Sequence, residues 1–377
     1  MPYFDHAATT FLSKEVIEAM TKTMETYNGN PSSLHEEGIS ARKYMNQLKN
    51  SIAKTLNTSR KSLLFTGSGT EASNLAIKGF YYKHKKARFI TSTVEHHASL
   101  NTFKFLSSEG ADVDFVAASE TGQIDFEALK STLSNSKHNF VSLIYINNEL
   151  GTKLDLDQLV KILKPYQYTL HLDMVQAPLH EKIDLEKLSI DMASMSAHKF
   201  HGPKGIGLLY IKDSTKIESL IHGGKQEFSK RAGTESLMLM SGLEKALTMC
   251  QENLTTHNTI THQLAEHLLT CLEQKNIVYR LNGEALNGHR VSAILNLGFK
   301  AVEGDVLQFQ LNRLGHCVSL GSACDSDNIE PSHVLKATHV PKDFIKNSIR
   351  ISLSHVNTLE EVSNLANDIT NIIEANK

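Results

Sequence analysis

From residue 60 onward, short apolar runs of β-prone side chains alternate with longer stretches of helical periodicity. SLLFT (62–66) precedes TEASNLAIKGF, and ARFITS (87–92) precedes HHASLNTFKFL. The alternation continues through NFVSLIYI (139–146), a helix near 155–164, YTLHLD (168–173), DMASMS (191–196) and GIGLLYI (205–211). Runs that are apolar on both faces suit strands covered on both sides, and the intervening helices supply the cover. The pattern therefore predicts an α/β fold built on a mostly parallel sheet. Ligands of such sheets bind beyond the carboxyl ends of the strands.

Past Thr234 the pattern changes to a helical stretch reaching about Cys250, another near 256–274, and short strands around VYRLN and VSAILNL. A large domain over 12–250 and a smaller α+β domain over 251–377 are expected. Residues 1–11 are too few to fold alone and are expected to pack alongside the small domain.

Composition narrows the function classes. With 377 residues and 40% hydrophobic content, the chain can bury a large core. Its 39 basic and 41 acidic residues nearly cancel, so no global field favours nucleic acid or an anionic membrane, and a small, locally recognised substrate is expected. No apolar run approaches a membrane span, and MPYFDHAATT lacks a basic stretch leading into an apolar one, which predicts a cytoplasmic protein. The four cysteines, at 250, 271, 317 and 324, form neither a disulfide framework nor a CxxC zinc pattern, and no metal site is expected.

The candidate chemistry centres on Lys199 in SAHKFHGPKG (196–205). An ε-amine attacks a carbonyl only when neutral, and desolvation beside another cation lowers its pKa. His198 is the candidate neighbour. Asp173, closing its strand, can hold a pyridine nitrogen protonated, while Gln176 and Asn148 of NNELG can contact the oxygen side of such a ring. TGSGTEAS (66–73) offers glycines, a hydroxyl and an opening helix for a phosphate, with Gly69 and Thr70 as the binding positions. Ser196, His198 and Thr234 of RAGT can add to that phosphate site. Together these groups suit pyridoxal 5'-phosphate.

His96 of VEHHAS can stack on the ring and exchange protons with substrate, and Arg350 of NSIRISLSH can pair with a substrate carboxylate through two hydrogen bonds. Cys324 lies in SLGSACDSDNIEPSHVL (319–335), whose polar composition predicts an exposed, mobile loop carrying a nucleophile or group carrier. A second reading uses Gly67, Gly69 and Ala72 as a dinucleotide fingerprint GxGxxA, with Glu95 about twenty residues on as its ribose acid. That reading predicts a nicotinamide-dependent oxidoreductase. It leaves Lys199, Asp173 and Gln176 without a role.

The chain resembles the cysteine desulfurases of the class V aminotransferase group through DHAATT, GNPSS, TGSGTEASNLAIKG, EHHA, NNELG, HLDMVQ, SAHKFHGPKG, HGGKQEFSKRAGT, GSAC and SIRIS, in that order. The resemblance implies a fold-type I pyridoxal-phosphate transferase that removes sulfur from L-cysteine, gives L-alanine and leaves a persulfide on Cys324. It implies that Lys199 carries the cofactor, Asp173 pairs with the ring nitrogen, Gln176 and Asn148 contact the ring oxygen side and His96 stacks on the ring. Gly69, Thr70, Ser196, His198 and Thr234 then bind phosphate, Thr234 in trans within a homodimer, and Arg350 takes the substrate carboxylate. The persulfide passes to an acceptor protein, an iron–sulfur scaffold or a tRNA-thiolation enzyme. The GSAC form resembles the first desulfurase subgroup, whereas the other subgroup has a shorter loop and often favours selenocysteine, the reading as a selenocysteine lyase-like relative. Lys225, Phe228 and Met174 depart from the usual pattern at positions where glycine, a basic residue and alanine are common.

Overall fold

The computed structural model describes residues 1–321 and 331–376, so Cys324 lies outside the described residues. Seven strands form the larger sheet: β1 (Leu63–Thr66), β2 (Arg88–Ser92), β3 (Asp112–Val116), β4 (Asn139–Ile144), β5 (Tyr168–Asp173), β6 (Met192–Ser196) and β7 (Gly207–Ile211). Their order is β1-β7-β6-β5-β4-β2-β3. β7 runs antiparallel to both its neighbours, and every other pairing is parallel. The central strands are buried along nearly their whole length, as continuous apolar runs require when helices cover both faces. Register brings Ile144, Asp173 and Ser194 level across β4, β5 and β6, so the carboxyl ends of these strands open onto one edge.

A second sheet of three antiparallel strands, β8 (Tyr279–Asn282), β9 (Ile294–Phe299) and β10 (Ser348–Ser352), has the order β10-β9-β8. Helices Leu254–Gln274 and Leu359–Ala375 pack with it, and Leu268, Leu272, Leu297, Ile349, Leu365 and Ile369 form a core separate from that of the larger sheet. Helix Leu359–Ala375 opens with a reciprocal cap in which Thr358 and Glu361 satisfy each other's backbone N–H groups. Among the described residues, no helix is long and apolar enough to cross a membrane.

The amino-terminal segment packs against both cores. Tyr3 and Asp5 bridge to Cys317 and Ser352, and Phe4 sits in the second core, whereas Ala7 belongs to the first. Thr10 donates its backbone N–H to His198 O at 2.9 Å. The segment straddles both cores because its backbone groups find partners in β10 on one side and beside Lys199 on the other.

Candidate active site

The turns that follow β1, β2, β4, β5 and β6 meet the amino-terminal segment and β10 around a cavity of about 240 Å³. Each turn contributes a polar group. After β1, Ser68 caps helix Gly69–Lys83 by accepting from Glu71 N–H at 3.0 Å. Glu71 in turn accepts from Gly67 N–H at 2.7 Å and from Arg231 Nε at 2.9 Å, which locks the approach to the helix. A Cβ on Gly69 would lie 2.9 Å from Val175 Cγ2 and 3.0 Å from Ser196 Cβ, so only glycine lets the helix start come this close to the β5 and β6 turns. Gly69 N–H points to Ser196 Oγ at 3.4 Å, and exposed Thr70 lines the same space. A helix start beside a hydroxyl suits a phosphate.

Asp173 ends β5, buried at 4% exposure, and its Oδ1 accepts from Val175 N–H at 3.0 Å. Burial pushes its carboxyl up to about 6, against the opposing pull of that N–H and of the Lys199 ammonium. Gln176 lines the cavity and donates Nε2 to Ala7 O at 2.9 Å. Lys199 is half-buried, and its Nζ donates to Ala7 O and Ala8 O, both at 2.7 Å. The proposed cationic neighbour does not survive the structure. His198 is drawn down to about 4 by burial and by Lys199 and Lys204, so it is neutral near pH 7 and its Nδ1 pairs with Thr9 Oγ1 at 3.2 Å.

His96 caps helix His97–Ser108, its Nδ1 accepting from Ala98 N–H at 3.1 Å. That bond puts the proton of the neutral ring on Nε2. Burial, then the charges of Lys199, His97, His333 and Arg350, lower its pKa to about 4. Arg350 lies within β10 and is 2% exposed. Its Nη2 donates to Asp5 Oδ1 at 2.8 Å and its Nη1 to Asn148 O at 2.9 Å, leaving buried Nε without an acceptor among the described residues. Asn148 follows β4 and lines the cavity.

The structure thus brings Gly69, Thr70, His96, Asn148, Asp173, Gln176, Ser196, His198, Lys199 and Arg350 to one cavity. It does not bring Thr234 there. Thr234 is exposed in a separate hollow with Tyr27, Asn28 and Met238. The carbonyls of Ala7 and Ala8, the Asp5 carboxylate, Glu149, His97 and His333 were missed in the sequence, although DHAATT, EHHA and NNELG contain most of them. A backbone carbonyl carries no side-chain signature by which a sequence could announce it.

The oxidoreductase reading fails on Glu95. Its carboxyl is fully buried, accepting from Ser92 Oγ at 2.6 Å and Ile144 N–H at 3.0 Å, and burial pushes its pKa to about 8. No ribose hydroxyl can reach it. The remaining groups fit a phosphorylated aromatic aldehyde: an amine, a buried carboxylate for a ring nitrogen, a helix start with no room for a Cβ, and a buried guanidinium Nε with no acceptor among the described residues.

The family model of class-V aminotransferases matches residues 2–365. The chain belongs to that family. A cysteine desulfurase IscS from Clostridium botulinum is 37% identical over 374 residues, covering 99% of this chain and 94% of that protein. Among solved structures, a NifS-like protein superposes with a TM-score of 0.91 at 32% identity, covering 99% of each chain. SspA in complex with cysteine superposes with a TM-score of 0.82 at 31% identity, covering 95% of this chain and 100% of that one. The fold is that of the fold-type I enzymes, and members of the family depend on pyridoxal phosphate.

Proposed function

We propose that the protein is a pyridoxal-phosphate-dependent cysteine desulfurase that moves the sulfur of L-cysteine onto Cys324 and releases L-alanine. The observation that carries this reading is the meeting of Lys199, Asp173, His96 and Arg350 at a single cavity beyond the strand ends. The relatives named as cysteine desulfurases support it. The cofactor supplies an aldehyde that links to amines and a ring that accepts the electrons of a broken bond at the substrate α-carbon.

The residues of the chain divide the remaining work. Lys199 would hold the cofactor through Nζ and is the base placed to move the substrate α-proton. Asp173, ionised near neutral pH, would keep a proton on the ring nitrogen. Gly69 and Thr70 would bind the phosphate through the helix start, with Ser196 and His198 beside them, while Gln176 and Asn148 would contact the ring oxygen side. His96 would cover the ring and offers Nε2–H as a donor. Arg350 would receive the substrate carboxylate, with the Nε donor that no group among the described residues uses.

In the transfer itself, the Cys324 thiolate forms an S–S bond with the substrate sulfur as the carbon–sulfur bond breaks. The electron pair stays with the carbon framework, which gains protons to become alanine, and the persulfide then passes to an acceptor protein such as an iron–sulfur scaffold or a tRNA-thiolation enzyme. Thr234 serves the phosphate of a second copy in a homodimer, a role supported by its exposed position away from its own cavity. The reading is tested by incubating the purified protein with cofactor and L-cysteine and following alanine release and the mass of the Cys324 peptide. Alanine without a sulfur adduct on that peptide overturns the assignment.

A further inference from the structure

The guanidinium that would anchor the substrate carboxylate and the lysine that would hold the cofactor belong to different parts of the fold. Arg350 lies on β10 of the smaller sheet, whereas Lys199 follows β6 of the larger one. One short segment touches both. Asp5 Oδ1 accepts from Arg350 Nη2 at 2.8 Å, and two residues on, Ala7 O accepts from Lys199 Nζ at 2.7 Å, as does Ala8 O.

The backbone that carries Asp5 is itself held to β10. Asp5 bridges to Ser352, Ser352 N–H donates to Phe4 O at 2.7 Å, and Ala7 N–H donates to Ser352 Oγ at 2.9 Å. Ser352 stands two residues beyond Arg350, so both side chains leave the strand on the same face. The Asp5 carboxylate is thereby fixed beside the guanidinium.

A guanidinium is a rigid planar fork, so fixing two of its nitrogens fixes the direction of every remaining donor. Asp5 holds Nη2, and Asn148 O holds Nη1 at 2.9 Å. Nε is left buried, with no acceptor among the described residues. Burying a guanidinium to 2% exposure is costly without an opposite charge, and among the described residues the carboxylate at ion-pair distance from it is that of Asp5. Among those residues, Asp5 does not line the cavity. Its route to the substrate runs through Arg350.

We infer that Asp5 is a positioning residue for substrate recognition, aiming the Arg350 guanidinium and so setting how strongly the site prefers an amine that carries an α-carboxylate. This role rests on the reading of the protein as an L-cysteine enzyme with Arg350 as its carboxylate anchor. It gives Asp5 no contact with substrate or cofactor.

The test compares L-cysteine with cysteamine, the same molecule without its carboxylate. Each is titrated into cofactor-loaded protein, and its half-saturating concentration is read from the initial spectral change of the bound cofactor. Wild-type protein should need more cysteamine than L-cysteine, and the ratio of the two concentrations isolates the carboxylate. In Asp5→Ala that ratio should shrink about tenfold or more, the scale of losing one hydrogen bond to a charged group. Asp5→Asn keeps an oxygen acceptor without the charge, so it should shrink the ratio by less, about threefold. A merely structural role would weaken both ligands alike, and a ratio unchanged in Asp5→Ala overturns the inference. So does a ratio that grows, because Asp5 would then compete with the substrate carboxylate instead of aiming its partner. If Asp5→Ala fails to load cofactor, Asp5→Asn decides alone, and an unaltered ratio there counts against the role. A wild-type ratio near one removes Arg350 as anchor and the inference with it. If wild-type protein prefers L-cysteine yet leaves no sulfur on the Cys324 peptide, the desulfurase reading falls, while the ratios in the Asp5 variants still decide what Asp5 does.

Discussion

Replacing Asp173 by asparagine isolates one electrostatic contribution to cofactor binding. The carboxyl is fully buried, and the rise from its ordinary 3.8 to about 6 means that the ionised form is disfavoured by about 3 kcal/mol. A protonated ring nitrogen beside it can recover that penalty, whereas a neutral amide has none to recover. Asp173→Asn should therefore bind pyridoxal phosphate about a hundredfold more weakly at pH 7.5, about 3 kcal/mol, while still loading when the cofactor is in excess.

The pH dependence has a definite sign. Cofactor binding needs Asp173 ionised, so the affinity of the wild-type protein holds above about 6 and falls as pH drops below it. The cofactor phosphate, whose second ionisation also lies near 6, contributes a similar fall in both proteins. The difference between them therefore reports Asp173. His96 and His198, both drawn to about 4, stay neutral across this range. The assay is a spectroscopic titration of cofactor-free protein with pyridoxal phosphate from pH 5.5 to 8. Equal affinity at pH 7.5, or identical pH profiles for the two proteins, would refute the electrostatic role.

Lys199→Ala should abolish the borohydride-reducible link to the cofactor, and a reducible adduct persisting in that variant would move the link to another lysine. Cys324→Ser should still show the spectral change on adding L-cysteine but release almost no alanine, whereas Cys317→Ser should keep its activity. Mass spectrometry after one turnover checks this, and sulfur found on Cys317, Cys250 or Cys271 of the unmodified protein would end the role of Cys324 as carrier. His171, fully buried between Ser142 Oγ and Ser194 Oγ at 2.8 Å each, is pushed down to about 3 by burial. The unfolded chain takes up a proton there below pH 6.5 that the folded protein refuses, so stability falls by about 2 kcal/mol between pH 7 and pH 5 from this group alone. His171→Gln should flatten that part of the dependence in urea unfolding, and an unaltered slope would show that His171 does not carry it.

Much of the fold was legible because buried parallel strands leave continuous apolar runs, and helices between them leave a period of 3.6. The order of such elements, with Asp173 ending one strand and His96 and Lys199 following others, already put their side chains at the carboxyl edge of a sheet. Asp173, His96 and Arg350 could be chosen from sequence because each carries its chemistry in its own side chain. What tertiary structure alone decided were properties that depend on neighbours distant in the chain. The charge of His198 is one, since burial and two lysines keep it neutral where the sequence suggested a cation. The partners of Lys199 are another: they are backbone carbonyls of Ala7 and Ala8, about 190 residues away, and every residue has such a carbonyl. Glu95 fitted a spacing rule for a ribose acid until burial and two donors removed it from reach. Glu149 met Ser332, 183 positions further on, only after the intervening chain had folded back. Spacing along a sequence records local geometry, whereas desolvation and the pairing of remote groups arise only when the whole chain has closed around them.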